Sequence, residues 1–534
     1  MPAAPLHAQS GSPQPPVIDT IIVRRDNVFN ADQAAKGGAF RFMNKLHIVT
    51  KERVIRQELL FEQGEVYDSA DVAESERLLR QRQIFRELQI DTARVEGRLA
   101  VIVHTQDGWS TKPKFKFSVA SDGSLTAVVG INEVNLLGSG NQVFVAYEKQ
   151  VDRDGLNLST TLRRMLGSNA DFQLNYAGLS DGRNANWKVG VPFRSFETDR
   201  SAEYDGLAAD QRVLQYRVER VADGDAVLDT TFYQRTALTS ALTGAYAPWA
   251  TVGRYLRVGA NIGLRKEEFA READSLAVVP DSLYGTIGGW VEYSRARFWR
   301  LRRFNGFGTE DVDLSTTVRF SATFAPAAWG YPSDGAGLGI KAAAAVPLPD
   351  GYVWGSIDAN GLFNEAGLDS GRVVLNLSAG YKFARRHASI IQVQGGLLEN
   401  PAPGGEFDLG FENAPRSWEP HAFVGDRTLW GTLEHRWFAI DSFLQLVGIG
   451  FAAFVDYGGA WYSDQSARYG GNVGAGLRLG STLSTVPATG RLDIGYRFGD
   501  DVESFGGRWV VAFGAGFVFP RRHIPSVSYR VAPP

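Results

Sequence analysis

Along most of this chain hydrophobic and polar residues alternate with a period of two. From Arg491 to Phe498, Arg491, Asp493, Gly495 and Arg497 alternate with Leu492, Ile494, Tyr496 and Phe498. Successive strand side chains point to opposite faces, so such a stretch has one polar and one greasy side. The pattern recurs. Phe115, Phe117 and Val119 alternate with Lys114, Lys116 and Ser118, and Leu256, Val258, Ala260, Ile262 and Leu264 with Arg257, Asn261 and Arg265. In the final segment Trp509, Val511, Phe513, Ala515, Phe517 and Phe519 alternate with Val510, Ala512, Gly514, Gly516 and Val518. Repeated strands of roughly ten residues, apolar on one face and polar on the other, predict an antiparallel membrane β-barrel with a wet interior.

Composition sharpens this. The chain is rich in glycine (59) and phenylalanine (32), yet its mean hydropathy is −0.18 and no apolar run is long enough for a spanning helix. Backbone in lipid must satisfy its own hydrogen bonds, which without helices leaves a closed barrel. The competing soluble architectures, a long sandwich or a propeller, lack support from any blade-length repeat. With no cysteine, thiol chemistry and thiolate metal sites are excluded, and export through an oxidising compartment is tolerated. A net charge of −3 gives no reason to expect a nucleic-acid partner.

Residues 1–16 read as the remnant of a signal peptide ending near Ala8-Gln9, followed by a flexible Ser/Pro lead-in. Residues 17–107 have a different texture. A strand over Ile18–Val23 precedes a helix from Thr50, as N-cap, to Phe61. A second helix begins at Ser69, and strands follow at Phe85–Ile90 and Leu99–Val103. This β-α-α-β-β order predicts a small α+β domain with a core around Ile21, Val54, Leu59, Leu79, Phe85 and Val101. The barrel then occupies 108–519, and 520–534 form a basic, Pro-containing tail.

The stretches Glu62–Asp68, Leu78–Ile90 and Gly97–Val103 resemble a POTRA domain, the periplasmic module of the outer-membrane protein assembly-factor superfamily (BamA, TamA and relatives). Gly130–Gly140, Ser180–Arg183 with Val191–Phe193, Gly425–Arg436, Phe454–Trp461 and Gly474–Arg478 are similar to that family's barrel segments, in the same order. The resemblance implies sixteen strands. The residue pattern alone can be cut into as many as ~20, because 197–238 and 337–394 divide in several ways. It also implies a loop near 405–426 folded into the lumen, with Arg416-Ser417-Trp418 at its tip where the family carries Arg-Gly-aromatic, and with Arg416 reaching the inward carboxylates Glu434 and Asp456. Ser417 replaces the glycine and requires a backbone that accepts a Cβ.

The function implied is assisted insertion of β-barrel proteins or translocation of polypeptides. The alternatives are a passive pore and a lipid-handling barrel. Expected partners are unfolded outer-membrane or secreted polypeptides, outer-membrane lipid or lipopolysaccharide, and periplasmic accessory proteins reached through the POTRA domain. The residues themselves point to a lateral gate between the first and last strands. Phe115, Phe117 and Val119 lie on a short first strand that starts just after Pro113, and Phe513, Gly514 and Gly516 on a last strand whose inner glycines lock against nothing. No cofactor, metal site or catalysis is expected. The seven histidines are scattered, and only a rim pair of His421 or His435 with Asp426 has the makings of acid–base chemistry. The basic run Arg295–Arg303 is expected at a strand end on the membrane rim, with lipopolysaccharide or acidic client segments as its alternative contacts.

Overall fold

The computed structural model describes residues 16–35, 37–119, 125–220, 226–272, 276–410, 414–443, 447–481, 489–505, 507–515 and 518–520. Most of the lead-in, most of the tail and Gly516 therefore lie outside the described residues, and so does the side chain of Val119. The chain forms two compact units: residues up to Ser110 together with Asn135–Gly140, and the remainder.

The first unit has a three-stranded sheet. β1 (Ile18–Asp26) pairs parallel, and β2 (Phe85–Val95) antiparallel, with the central β3 (Arg98–Asp107). The expected irregular stretch before Thr50 holds two helices, α1 (Ala31–Ala35) and α2 (Gly38–Leu46). α3 is confined to Glu52–Arg56, and α4 (Ser69–Gln81) is capped by the Asp68 carboxylate, which accepts from the Ala70 N–H. Ile18, Ile55, Phe61, Val72, Leu79, Phe85, Val101 and Val103 are buried between helices and sheet.

Thr50 does not cap its helix, because its hydroxyl oxygen accepts from Asn135 and its two donors go to Asp107. Its N–H donates to Asp107 at 2.8 Å and its hydroxyl at 2.9 Å, while Asn135 donates to that hydroxyl at 2.9 Å. The Lys51 N–H donates to the Gly138 carbonyl at 2.9 Å. The turn Asn135–Gly140 thus completes a unit that the sequence alone closes at Asp107.

The second unit is a closed barrel in which twenty strands are described, from Thr111–Val119 to Trp509–Ala515. That is four more than the resemblance implies and agrees with the upper count from alternation. The outer face is predominantly apolar among the described residues: Phe115, Ile131, Ile262, Leu338, Leu433, Ile494 and Trp509 all point away from the lumen and are exposed. A contiguous apolar surface of this extent belongs in lipid. Two strands, Arg200–Arg220 and Ala226–Thr251, pair over 21 residues, roughly 70 Å of strand at ~3.3 Å per residue, and overshoot an apolar band of about 25 Å.

Burial drives the Asp107 carboxyl up to about 6, against the hydrogen bonds from Thr50 and the charge of Arg25. Raised in the fold, this group contributes stability that is complete below its ordinary 3.8 and is lost as pH rises through about 6. Pulse proteolysis in urea should find the first unit more resistant at pH 4.5 than at pH 7.5, and Asp107→Asn should flatten that dependence.

Candidate functional site: a lumen held from both mouths

The chain enters the barrel at Thr111, which defines a near mouth. The loop between strands His387–Glu399 and Arg427–Phe443 arises at the opposite, far mouth and carries a two-stranded sheet of its own, Phe407–Leu409 with Phe423–Gly425. Its tip lies against the inner wall. The strand Arg427–Phe443 alternates strictly, turning Thr428, Trp430, Thr432, Glu434, Arg436 and Phe438 inward, and Arg416 meets that face.

The Arg416 guanidinium is fully buried. Nε and Nη2 fork onto Asp456 at 2.7 and 2.9 Å, Nη1 donates to Glu434 at 2.5 Å, and Nη2 also donates to Thr432 at 2.9 Å. Its backbone N–H donates to Asp456 at 3.1 Å, and the ring of Phe454 lies 4.1 Å beneath the cation. Planar, bidentate pairing of this kind is what guanidinium offers over an ammonium. Arg416, Glu434 and Asp456, picked out by the sequence, are thus brought into contact.

The wall makes room for the rest of the tip. Ser417 has no left-handed backbone; it occupies a glycine's place because the missing volume has moved across to Gly495, whose imagined Cβ would fall 2.4 Å from the Ser417 hydroxyl oxygen. Arg497 donates to the Ser417 carbonyl at 2.5 Å. Trp418 is fully buried, donates from Nε1 to the Gly471 carbonyl at 3.1 Å, and fills the space over Gly470, where a Cβ would approach its ring to 2.3 Å. The overshooting strand Arg200–Arg220 then packs over the loop, burying Tyr216 and Val218 with Phe407, Leu409, Trp418 and Trp430.

His421 does not pair with Asp426. Its ring lies 2.8 Å from Asp408 and 3.2 Å from Asp152, and stacks on Tyr216 at 3.9 Å. Burial would lower its pKa, but the hydrogen bonds its ring donates to those carboxylates, and their charges, raise it to about 10. His435 instead contacts Ser389 and His387, and Asp426 holds Ser463. Neither histidine forms the rim pair conceived from sequence.

The basic run is the larger surprise. Phe298–Arg302 and Thr309–Asp313 are not a strand end in the membrane wall but a separate hairpin rising from the near mouth. Its tip places Phe304 and Phe307 in a buried cluster with Tyr352, Trp354, Ile390, Phe438 and Phe519. Three inward glycines are cleared for it: a Cβ on Gly380 would fall 2.6 Å from Phe304, and Cβ atoms on Gly448 and Gly480 would fall 2.3 and 2.5 Å from Phe307. The alternation Trp299, Leu301 toward the core and Arg300, Arg302 away was the available signal, hidden by the arginines.

The gate residues sit as alternation requires. Phe115, Phe117 and Phe513 face outward; Gly514 lies on the inner-facing parity with Val510 and Ala512. The first and last strands are neighbours, and among the described residues they approach over a far shorter stretch than any other adjacent pair of barrel strands. A cavity of about 1200 Å³ lies at this seam, lined both by outward Phe115, Phe117 and Phe513 and by inward Lys114 and Arg491.

No family model matches the chain, and no curated protein matches it significantly. Among solved structures, CdiB from Escherichia coli superposes with a TM-score of 0.50 at 10% identity, covering 94% of this chain and 76% of that one. CdiB from Acinetobacter baumannii gives 0.45 at 12% identity, with 94% and 74% covered. BamA from Haemophilus ducreyi lacking POTRA domains 1–3 gives 0.41 at 12%, with 93% and 84% covered. The likeness is one of fold: a small α+β region leading into a closed antiparallel barrel.

Two outcomes test this site. Arg416→Ala strips the partner from two buried carboxylates and should cost about 3–5 kcal/mol, seen as a lower transition of the heat-modifiable band and as protease access to the loop. Gly470→Ala should expel Trp418 and open the same loop without touching a charge. A second test uses pH. Burial raises Glu406 to about 7, against hydrogen bonds from the Tyr462 hydroxyl and the Tyr216 N–H. Its contribution is complete below 4.5 and lost as pH rises through about 7, whereas that of His421 is complete below 6.5 and lost as pH rises through about 10. Proteolysis of the loop should therefore quicken as pH rises from 5 to 8, and Glu406→Gln should remove the part of the change that falls below pH 6.5.

Proposed function

We propose that this protein is an outer-membrane machine that assists insertion of β-barrel proteins or translocation of polypeptides, using the seam between Thr111–Val119 and Trp509–Ala515 as a lateral gate. The observation that carries this reading is the seam itself. Among the described residues every other adjacent pair of barrel strands is extensively paired, whereas here the wall narrows to a short contact beside a cavity with both lipid-facing and lumen-facing lining. Strand edges in lipid are costly to leave unpaired, so a briefly paired edge is a template for an incoming strand.

The first unit contributes a second template. β2 is an outer strand of its sheet and is able to receive an extended client segment by strand addition. In this reading the unit lies in the periplasm, takes up unfolded polypeptide there, and is the place where accessory proteins dock. The exposed aromatics at the seam meet outer-membrane lipid.

A passive pore is disfavoured by the two insertions that fill the lumen from opposite mouths. Lumen transport of a polypeptide would require both to leave; strand addition at the seam requires neither to leave completely. The reading is therefore strongest for insertion. Lipid handling at the same seam is a third use, which the test below separates.

Because the chain has no cysteine, one cysteine in each seam strand forms the only possible disulfide. Locking the seam should abolish incorporation of a barrel precursor into proteoliposomes, and reduction should restore it. Full locking with undiminished incorporation would remove the gate; lipid scrambling lost while incorporation persists would favour lipid handling.

A further inference from the structure

The hairpin from the near mouth does more than fill space, because its tip holds the residue that follows the last barrel strand. The Asn305 amide is placed like the edge of another strand against Phe519. Its Oδ1 accepts from the Phe519 N–H at 2.8 Å, and its Nδ2 donates to the Phe519 carbonyl at 2.8 Å. The amide is itself fixed, since Nδ2 also donates to Glu310 at 2.9 Å and the Asn305 N–H donates to the same carboxylate at 2.7 Å. The Phe519 side chain is 1% exposed, within the cluster of Phe304 and Phe307 and 5.4 Å from the Arg436 cation.

The tip is also wired to the far-mouth loop. Arg436 donates from Nη1 to the Phe304 carbonyl at 3.0 Å, and from Nε to Glu434 at 2.7 Å. Glu434 is the carboxylate that accepts from Arg416. Arg416, Glu434, Arg436, the hairpin tip and Phe519 therefore form one continuous set of polar contacts. It runs from the far-mouth loop, down the inward face of one strand, to the end of the strand that forms half of the seam.

We propose that the hairpin between Phe298 and Asp313 is a latch: Asn305, seated by Phe304 and Phe307, holds the end of the last strand against the lumen and keeps the seam closed. The latch deepens the gate reading above and rests on the seam being the part that moves. The chain beyond the described strand Trp509–Ala515 is gripped from inside at Phe519. Releasing the tip frees Phe519 and, with it, the final strand. Withdrawal of the far-mouth loop is felt at the same place, because Glu434 then keeps only its wall partners and Arg436 is drawn toward it.

The latch is tested without any client, on the full chain in proteoliposomes. Spin labels on cysteines at positions 115 and 513, both outward and clear of the lumen, report the seam distance by pulsed electron paramagnetic resonance. The otherwise native hairpin should give one narrow distance. Asn305→Ala, which loses both bonds to Phe519, should add a population longer by at least one strand spacing, ~5 Å. Phe519→Ala keeps those bonds but empties the aromatic seat, and should shift the distribution in the same direction, so the test survives if one variant fails to fold. Arg303→Ala loses only the ion pair with Asp441 at the hairpin shoulder and should leave the distance unchanged. Folded Asn305→Ala or Phe519→Ala barrels with the narrow distance would overturn the latch. A seam that opens in these variants while precursor incorporation is indifferent to the seam disulfide would instead keep the latch and discard the insertion function.

Discussion

The buried guanidinium of Arg416 is the contact on which the arrangement of the lumen turns. A charge removed from water costs several kcal/mol unless it is paired and its donors are used. Here one arginine satisfies two carboxylates from different strands, Glu434 and Asp456, and each carboxylate has further donors, Arg436 on the first and Asn472 on the second. Nearby, Asp493 is held by Arg478 and Arg491. The inner wall is thus an ionic lattice with one vertex supplied by a loop. Removing the loop leaves Asp456, in a confined space, without the guanidinium that it pairs with, which is why a long connection with only two three-residue strands has one position.

A cylinder of twenty strands explains why so much must be held inside. At a strand spacing of ~4.8 Å and a tilt of about 40°, its diameter is roughly 40 Å, against roughly 30 Å for sixteen strands. A wall this wide encloses an aqueous hole unless chain is diverted into it. The far-mouth loop fills one end and the near-mouth hairpin the other, and the overshooting strand Arg200–Arg220 covers the loop. Glycines mark the seats: Gly470 and Gly495 beneath Trp418 and Ser417, and Gly380, Gly448 and Gly480 beneath the two phenylalanines of the hairpin.

Alternation made the wall legible from sequence because every strand obeys one rule, imposed by lipid on one side and water on the other. It placed Phe115 and Phe513 outward and Glu434 inward with no knowledge of neighbours. The far-mouth loop obeys no such rule. The far-mouth loop was found through a resemblance at its arginine, and its Ser417 became intelligible only when Gly495 was seen across the gap. The near-mouth hairpin was misread because its arginines outweigh Trp299 and Leu301 in any count of local polarity, although the short β-hairpin alternates as strictly as the wall. In the first unit Thr50 has the spacing of a helix cap, but its N–H goes to a buried carboxylate 57 residues away and its hydroxyl oxygen accepts from Asn135.

The same contrast separates what is rigid from what is free to move. Wall strands are held by ladders that lipid makes expensive to break, so they exchange partners only where the ladder is short. The insertions are held by side chains, and each is held at few points: Arg416 for the loop, Asn305 and two phenylalanines for the hairpin. Contacts of that kind are lost together or not at all, because the groups left behind are buried and unpaired. On the gate reading, a barrel whose described strands include one short seam, with Phe519 beyond the last strand in the grip of such a contact, would concentrate its mobility at that place in the wall. Strand Arg427–Phe443 carries both Glu434 and Arg436 on one face, two residues apart, and is the element that touches both insertions.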